Sequence, residues 1–426
     1  MALTEPVLIV GLARSGLALA KFLAAQGAGV RVCDQKPASE LTGFLERLPR
    51  GVETVLGGYD ESVLDGVTTV YPSPGVWWDD PLLERARARR LHVSSEMDLF
   101  FQLCPAPIVG ITGTNGKTTT TELVGRLLSR GERPVLVGGN TGDTVIDRLP
   151  EVTADHIVVL ELSSFQIESI DRPRPHVAVV LNVTRDHLDR HHDFESYAAL
   201  KRKLVEFLRP DDWAVLNGRD AVVRSFADST RARVVWFEEH TPEPVLRLPG
   251  RHNLENALAA AAVARICGVP DEAAAEELAA FEGVEHRIEL VGEWGGVRWY
   301  NDSKATNPES GIVALRAFEG TPLVLIAGGY GSGFDQREWL AEIRRLVSTI
   351  VLVGQSTPEL EAQLQDVPPV RKAASLDEAV QVAQAAAVPG GVVLLSPGYK
   401  SFDMFRDFED RGRQFKDAVR RANGAA

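Results

Sequence analysis

The segment 110–120 has the composition of a phosphate-binding loop. It reads Gly-Ile-Thr-Gly-Thr-Asn-Gly-Lys-Thr-Thr-Thr, follows an apolar run and precedes residues 122–129, which predict a helix. Glycines let backbone N–H groups surround an anion at a helix N-terminus. In such a loop Lys117 neutralises the β- and γ-phosphates of a nucleotide, and the Thr118 hydroxyl is a ligand of Mg²⁺. Ile111 stands where the strict pattern has glycine, so a loop that only caps a helix is the alternative interpretation.

Carboxylate, imidazole and amine groups follow this loop along the chain. Glu161 ends an apolar run, and a carboxylate at the end of a strand beside a phosphate loop is where Mg²⁺ needs an oxygen ligand. His187 and His191 are four residues apart and could bind zinc, but no further carboxylate or cysteine has a zinc spacing. His191 is therefore expected in a solvated loop. Lys201 lies in the basic segment 197–204, which by its chemistry alone predicts a solvated helix face.

The N-terminal region carries a second glycine pattern. Gly-Leu-Ala-Arg-Ser-Gly at 11–16 follows an apolar run, and Asp34 ends the next run. This is a Rossmann-like fingerprint in which Ala13 replaces the middle glycine that lets a pyrophosphate approach the backbone. Binding of NAD and a Rossmann turn without any ligand both remain open at this point.

Short β-branched apolar runs alternate with amphipathic helical segments along the whole chain. This pattern predicts parallel strands buried on both faces, and therefore an α/β architecture. The length of 426 residues exceeds one ordinary core. We expect three domains: a Rossmann-like N-terminal domain at 1–96, a central P-loop-type ATPase domain with a parallel sheet at 97–283, and a Rossmann-like C-terminal domain at 284–426.

Composition narrows the class of protein. The net charge of -13 provides no basic surface for nucleic acid or anionic lipid. The three cysteines are scattered and form no disulfide framework. The N-terminus lacks the basic segment of a signal peptide, and no apolar run approaches the ~20 residues that span a bilayer. We therefore expect a cytoplasmic protein without nucleic-acid or membrane partners.

Seven segments of the chain carry motifs that can be compared with known families: 112–119, 161–166, 182–189, 250–257, 285–287, 301–307 and 395–401. They resemble the motifs of the Mur ligases and their folylpolyglutamate synthase relatives. They follow the order of that family and cover nearly the whole chain. One such match would be weak evidence, but the ordered set identifies the chain as similar to this family.

The resemblance implies an ATP-dependent ligase that uses two Mg²⁺ ions. It implies that Thr118, Glu161, His187 and Lys201 hold metal. Lys201 would carry a carbamate made from CO₂, because carbamylation turns a cation into an oxygen ligand; Lys203 matches less well. The catalytic set that it implies is Lys117, Glu161, His187, Lys201, Arg287 and Lys304.

The resemblance also implies two sets of binding residues. The ATP-binding set is Thr114, Asn115, Gly116, Lys117, Thr118, Thr119, Thr120, Asn253, Asn256, Arg287 and Asp302. The substrate-binding set is Arg14, Ser15, Asp34, Gln35, Gly75, Asn140, Ser163, His187, Lys304, Thr306, Lys400, Ser401 and Phe408. Residues of the N-terminal block in this second set would surround the uridine and diphosphate of a UDP-linked substrate.

Within the family, the motif at 301–307 disfavours the members that add diaminopimelate or lysine, because their Asp-Asn-Pro-Arg signature is missing. The resemblance implies a monomeric enzyme that joins D-glutamate to UDP-N-acetylmuramoyl-L-alanine through an acyl phosphate. Ser332 stands where members with that activity carry a lysine for the substrate carboxylate, and Lys400 directly precedes Ser401. Lys400 is either a replacement for that lysine or a surface residue. A ligase for another amino acid, an NAD-binding oxidoreductase and a P-loop switch remain alternatives.

Overall fold

The computed structural model of the protein describes residues 4–140, 144–186, 188–239, 244–246, 248, 250–331, 336–364 and 368–424. The chain forms two compact units, one made of Met1–Pro244 and Glu255–Glu277 and the other of Val245–Leu254 and Leu278–Ala426. The first unit contains two sheets and the second contains one. The prediction of three α/β domains is confirmed, while their boundaries at 96/97 and 283/284 stay predictions.

The N-terminal sheet has five parallel strands in the order β3-β2-β1-β4-β5. The strands are β1 (Val7–Val10), β2 (Val30–Asp34), β3 (Glu53–Leu56), β4 (Thr69–Pro72) and β5 (His92–Val93), and the helices are α1 (Arg14–Ala25), α2 (Thr42–Leu45), α3 (Pro81–Ala88) and α4 (Glu96–Leu103). Every residue of β1 is apolar and buried, as expected for a central parallel strand covered on both faces. The segments predicted to bind a UDP group follow β1, β2 and β4, which are neighbours.

The middle sheet has six parallel strands in the order β11-β10-β9-β6-β8-β7. The strands are β6 (Ile108–Thr112), β7 (Val135–Gly139), β8 (Ile157–Glu161), β9 (Val177–Val180), β10 (Trp213–Leu216) and β11 (Arg233–Trp236). The helices are α5 (Lys117–Leu128), α6 (Ser164–Ser169), α7 (Leu188–His191), α8 (Phe194–Glu206) and α9 (Ala221–Ser225), followed by α10 (Arg251–Ile266) and α11 (Asp271–Ala280). The phosphate loop leaves β6 between β8 and β9, and ligands bind at this edge in such sheets.

The C-terminal sheet has the order β12-β13-β17-β14-β15-β16, and only the pair β12–β13 is antiparallel among its described strands. The strands are β12 (Glu289–Trp294), β13 (Val297–Asn301), β14 (Leu323–Ala327), β15 (Thr349–Val353), β16 (Val370–Ala373) and β17 (Val392–Leu395). The helices are α12 (Pro308–Arg316), α13 (Arg337–Leu346), α14 (Thr357–Leu364), α15 (Leu376–Ala386) and α16 (Phe408–Ala422). Loops with predicted site residues follow β13 and β17, which lie side by side, and β14 is the next strand in the sheet.

Across the described ranges, none of the helices combines the length and the apolar character needed to cross a membrane.

Candidate active site

The phosphate loop is a short turn between β6 and α5 that is held by the segment following β9. The backbone N–H of Thr114 donates to the carbonyl of Asn182 at 2.9 Å, and that of Asn115 donates to the Asn182 side chain at 2.8 Å. Gly116 caps α5 with a φ of +84°, a left-handed conformation that favours glycine. A Cβ on Gly116 would lie 2.2 Å from Oδ1 of Asn256. The loop therefore presents the N-terminus of a 12-residue helix, which is a favourable place for an anion.

Lys117 is the first residue of α5, and its ammonium lies against its own loop. Its Nζ donates to the carbonyls of Gly113 at 2.9 Å and Thr114 at 2.8 Å. Thr118 is partly exposed in the same first turn, whereas Thr119 and Thr120 are buried. The Thr120 hydroxyl donates to Oδ1 of Asn256 at 3.2 Å. The structure thus brings the loop and Asn256 together, while the role of Asn256 in ATP binding stays a prediction.

Glu161 lies at the end of β8, in register with Ile111 of β6. Its side chain is 1% exposed and accepts a hydrogen bond from Nδ2 of Asn140 at 3.1 Å. A buried carboxylate needs a compensating donor or cation. Oxygen donors of this kind suit Mg²⁺, so the residues present fit the expected ion. His187, the other predicted ligand here, lies outside the described residues.

The segment around α6 corrects the prediction for His191. This side chain is 3% exposed, and its Nε2 lies 3.0 Å from the Ser164 hydroxyl. Its ring packs between Phe165 and Tyr197, with centroid distances of 5.4 and 5.6 Å. The expected solvated position is wrong because α6 and α8 fold over it. Ser163 caps α6 in a capping box with Gln166.

Lys201 is buried, which overturns the solvated helix face expected from its chemistry alone. Its side chain is 1% exposed, its Nζ donates to the carbonyl of Gly113 at 2.9 Å, and it lies 4.6 Å from the ring centre of Tyr197. Burial, followed by the charge of Lys117, holds the pKa of Lys201 well below its ordinary value. The fold therefore favours the neutral amine of Lys201 beside the phosphate loop.

Lys203, the weaker candidate for carbamylation, points elsewhere. Its Nζ donates to the carbonyls of Ile167, Glu168 and Ile170 at the end of α6. It therefore satisfies the carbonyl groups that a helix leaves unpaired at its C-terminus.

The N-terminal residues predicted to bind a UDP group surround one end of their sheet. The side chain of Asp34 accepts hydrogen bonds from the backbone N–H groups of Leu12 at 2.7 Å and Lys36 at 2.9 Å. Arg14, Gln35 and Gly75 are exposed, and Ser15 is partly exposed. These groups are accessible at the ends of β1, β2 and β4, where a ligand of a Rossmann-like sheet binds.

Arg190 connects the Gly75 loop to helix α6. Its guanidinium donates to the carbonyls of Pro74 and Val76 at 3.1 Å each and stacks over Phe165 at 4.2 Å. Sequence reasoning assigned no role to Arg190. Arg190 directly follows the segment 182–189, and its partners Pro74 and Val76 are more than a hundred residues away in the chain.

In the second compact unit, Asp302 is buried at the end of β13. It accepts hydrogen bonds from the Ser396 hydroxyl at 2.8 Å and from the backbone N–H of Ile288 at 3.3 Å. Burial raises the pKa of Asp302 to about 7, although the Ser396 hydrogen bond and the charge of Arg287 oppose the shift. The Nζ of Lys304 lies 5.3 Å from the ring centre of Phe408. The structure thus places Lys304 beside Phe408 and Asp302 within electrostatic reach of Arg287, while their roles stay predictions.

The loops after β14 and β17 also meet. The backbone N–H of Tyr330 donates to the carbonyl of Lys400 at 2.7 Å, and the two residues form an antiparallel bridge. Lys400 is exposed and Ser401 is buried. Thr306 lies in the loop after β13, where its N–H donates to the Lys304 carbonyl at 2.8 Å. Asn253 is buried near the start of α10, and Ser332 lies outside the described residues.

Sequence reasoning missed two residues that shape the phosphate loop. Asn182, two residues after β9, holds the loop through three hydrogen bonds to Thr114 and Asn115. Tyr197 supports Lys201 with its ring, and its hydroxyl lies 3.1 Å from that of Thr114. The spacing of four between Tyr197 and Lys201 was a signal, because residues four apart share one helix face.

The phosphate loop and the buried carboxylate at the end of β8 are features of a nucleotide-binding α/β enzyme, and comparisons with known proteins show its family. Models of the Mur ligase MurD-like N-terminal domain, the Mur ligase middle domain and the Mur ligase glutamate ligase domain match residues 5–95, 111–243 and 286–398. The chain belongs to the Mur ligase family.

Two similar curated proteins carry the same name. A protein from Symbiobacterium thermophilum called UDP-N-acetylmuramoylalanine--D-glutamate ligase is 40% identical, covering 98% of each chain. One of the same name from Desulfitobacterium hafniense strain Y51 is 42% identical, again covering 98% of each. Among solved structures, UDP-N-acetylmuramate-alanine ligase from Thermotoga maritima has a TM-score of 0.61 at 19% identity, covering 98% of this chain and 100% of that one. MurF ligase from the same organism, in complex with ADP, has a TM-score of 0.62 at 16% identity, covering 99% and 98%. These two structures share the fold.

Proposed function

We propose that this ligase joins D-glutamate to UDP-N-acetylmuramoyl-L-alanine at the expense of ATP, in the synthesis of peptidoglycan precursors. The observation that carries the proposal is the convergence of the phosphate loop with the buried Lys201 and Glu161 at one edge of the middle sheet. Relatives at 40–42% identity over 98% of the chain, which are named for this reaction, support the choice of substrates.

The reaction we propose has two steps. A carboxylate oxygen of the UDP-linked substrate attacks the γ-phosphorus of ATP in line, the bond to the bridging oxygen breaks, and ADP leaves. The amine of the amino acid then attacks the carbonyl carbon of the acyl phosphate, loses a proton, and phosphate leaves through a tetrahedral intermediate. Lys117, Arg287 and the N–H groups at the start of α5 disperse the charge that develops on the phosphoryl oxygens.

We assign the metal ligands to Thr118, Glu161, His187 and a modified Lys201. Two Mg²⁺ ions bound there would neutralise the phosphate charges and align the attacking and leaving oxygens. The amide of Asn140 orients the Glu161 carboxylate, in the way that outer hydrogen bonds orient metal ligands. Asn253, Asn256 and Asp302 are assigned to ATP, and Lys304, Thr306, Ser401 and Phe408 to the incoming amino acid.

We assign the UDP end of the substrate to Arg14, Ser15, Asp34, Gln35 and Gly75, and the muramoyl part to Asn140 and Ser163. The N–H groups of the 11–16 turn and the Arg14 guanidinium would compensate the diphosphate. We also propose that the enzyme is a cytoplasmic monomer. Light scattering at micromolar concentration tests the monomer, and a dimer would contradict it.

A carbamate on Lys201 is part of the proposal, because a buried ammonium beside Lys117 is unfavourable. The neutral amine nitrogen attacks CO₂, an N–C bond forms while one C–O π bond opens, and a proton leaves the nitrogen. Enzyme freed of bicarbonate should lose activity and regain it when bicarbonate returns. With ¹³C-bicarbonate, a carbamate signal should appear in the wild-type enzyme. The signal should be absent from Lys201→Ala and present in Lys203→Ala. Fully active enzyme with a free amine at Lys201 would contradict this assignment.

A phosphate-release assay tests the whole proposal. Release should require both a UDP-muramoyl acceptor and an amino acid, and D-glutamate with UDP-N-acetylmuramoyl-L-alanine should give the highest kcat/KM of a panel. A higher value with another pair would reassign the substrates. Saturable NADH binding without amino-acid-dependent phosphate release would favour an oxidoreductase instead.

A further inference from the structure

The turn 284–288, which carries Arg287, has an unusual backbone. His286 has a φ of +64° and Ile288 a φ of +45°, and a left-handed conformation costs a residue with a side chain roughly 1–2 kcal/mol. Such conformations persist where the surroundings fix them. Between them, Arg287 donates its N–H to the carbonyl of Val284 at 3.0 Å. Two left-handed residues therefore flank Arg287 in the chain.

The Glu289 carboxylate is the centre of the contacts that hold this turn. Its Oε2 accepts hydrogen bonds from the backbone N–H of His286 at 3.0 Å and from Nδ2 of Asn301 at 2.9 Å. Its Oε1 accepts one from Nζ of Lys416 at 2.9 Å, and Lys416 also donates to Glu285 at 2.6 Å. One carboxylate thus ties the strained backbone to β13 and to α16.

Helix α16 supports the turn along one face. Phe408, Gly412 and Lys416 are spaced by four residues and therefore lie on the same side of the helix. The Phe408 ring meets the His286 ring edge to face at 6.2 Å. A Cβ on Gly412 would lie 2.2 Å from Nδ1 of His286, so the helix can approach this closely only through glycine. Lys416 is the last of the three residues on this side of the helix.

The positive charge of Lys416 lies beside two carboxylates. Glu285, His286 and Glu289 have donor atoms within 4.8 Å of one another, a spacing that could hold a metal ion. Lys416 is 12% exposed and contacts both carboxylates, so its ammonium provides the positive charge. Without it, Glu289 would be left with an unpaired charge in a partly buried place, which is costly.

We propose that Lys416 is a positioning residue: by pairing with Glu289 it fixes the turn 284–288 and so sets the placement of Arg287 and of Lys304. The link to Lys304 is direct, because its backbone N–H donates to the His286 carbonyl at 3.1 Å. The inference rests on the proposed function, in which Arg287 faces the γ-phosphate. Lys416 itself need touch no substrate.

The test compares Lys416→Met with Lys416→Arg and with Arg420→Met. Arg420 lies on the same helix, is half exposed and pairs only weakly with Asp417 at 3.6 Å, so it controls for the loss of one positive charge. Because a misplacement of about 1 Å can cost on the order of 100-fold in rate, we expect Lys416→Met to lower kcat by roughly 10- to 100-fold with KM for ATP changed less than about threefold. Lys416→Arg should recover most of kcat, and Arg420→Met should match the wild type.

Hydrogen exchange supplies the structural readout. The amides of 284–290 should exchange faster in Lys416→Met and at the wild-type rate in Lys416→Arg. If Lys416→Met does not fold, Glu289→Gln takes its place in the test. It should likewise lower kcat and leave KM for ATP nearly unchanged. An unchanged kcat in the folded variant, or an arginine variant as impaired as the methionine variant, would overturn the inference. A wild-type enzyme without amino-acid-dependent phosphate release would instead refute the proposed function, so the two failures are distinct.

Discussion

Replacement of Lys400 by alanine should weaken glutamate binding with little effect on ATP. The side chain of Lys400 is exposed, while its carbonyl is fixed by the N–H of Tyr330 at 2.7 Å. Truncation therefore removes the ammonium and leaves the backbone of the loop in place. A hydrogen bond to a charged group contributes ~1.5–3 kcal/mol, and 1.4 kcal/mol is a factor of ten. KM for D-glutamate should rise by roughly 10- to 100-fold.

The assay is steady-state phosphate release with D-glutamate and then ATP as the varied substrate. Lys372→Ala is the matched control, because Lys372 is an exposed lysine in the same unit whose partner is the surface residue Glu361 at 3.0 Å. Adding Ser332→Lys to Lys400→Ala should recover part of the loss, since a lysine at 332 restores the charge expected in relatives with this activity. A KM for glutamate within twofold of the control would show that Lys400 is a surface residue and refute the reasoning.

Three further predictions concern the first compact unit. Lys117→Ala should lower kcat by ~10²–10³-fold, because one preorganised donor to the phosphates is lost; retention of more than a third of kcat would exclude the phosphate-loop assignment. Gly116→Ala should raise KM for ATP, because the added Cβ would overlap Asn256. Its control is Gly268→Ala, which has a similar φ of +83° and open space around it and should lose only about 1–2 kcal/mol of stability. Equal KM values for ATP in the two variants would contradict this prediction. Burial raises the pKa of Glu96 to about 7 from 4.5, so the folded state favours its protonated form and the free energy of unfolding should fall as pH rises from about 4.5 to 7. The expected fall is about 3 kcal/mol, at 1.36 kcal/mol per pKa unit, and Glu96→Gln should remove most of it. The measurement is urea unfolding followed by hydrogen exchange at 96–103. An unchanged pH dependence in Glu96→Gln would refute the prediction.

The sequence was sufficient to predict the alternating strands and helices and the phosphate loop, because both depend on the local pattern of residues. The run that ends at Glu161 is a buried strand, and the glycines at 113 and 116 precede a helix as predicted. Basic residues on α8 were harder to interpret. The solvated prediction suits Arg202, which is exposed and pairs with Glu206. It fails for Lys201, which lies on the buried face together with Tyr197.

Contacts between distant segments could not be derived from spacing. The burial of His191 depends on Ser164, which lies 27 residues earlier in the chain, and no periodic pattern links the two. The meeting of the Tyr330 and Lys400 loops was expected in outline, since loops after parallel strands converge at one edge. That they are hydrogen-bonded neighbours follows from the adjacency of β14 and β17, which only the strand order establishes.

The Tyr330 and Lys400 loops are connected by a hydrogen bond between a backbone N–H and a backbone carbonyl, groups that almost every residue possesses. A substitution at either position therefore leaves this hydrogen bond intact, apart from proline at 330, which has no N–H to donate. Side chains on the two loops can change without loss of this hydrogen bond, so we expect that a charge lost from one loop can be regained on the other. Positions 332 and 400 should accordingly covary among relatives, with a lysine at one or the other.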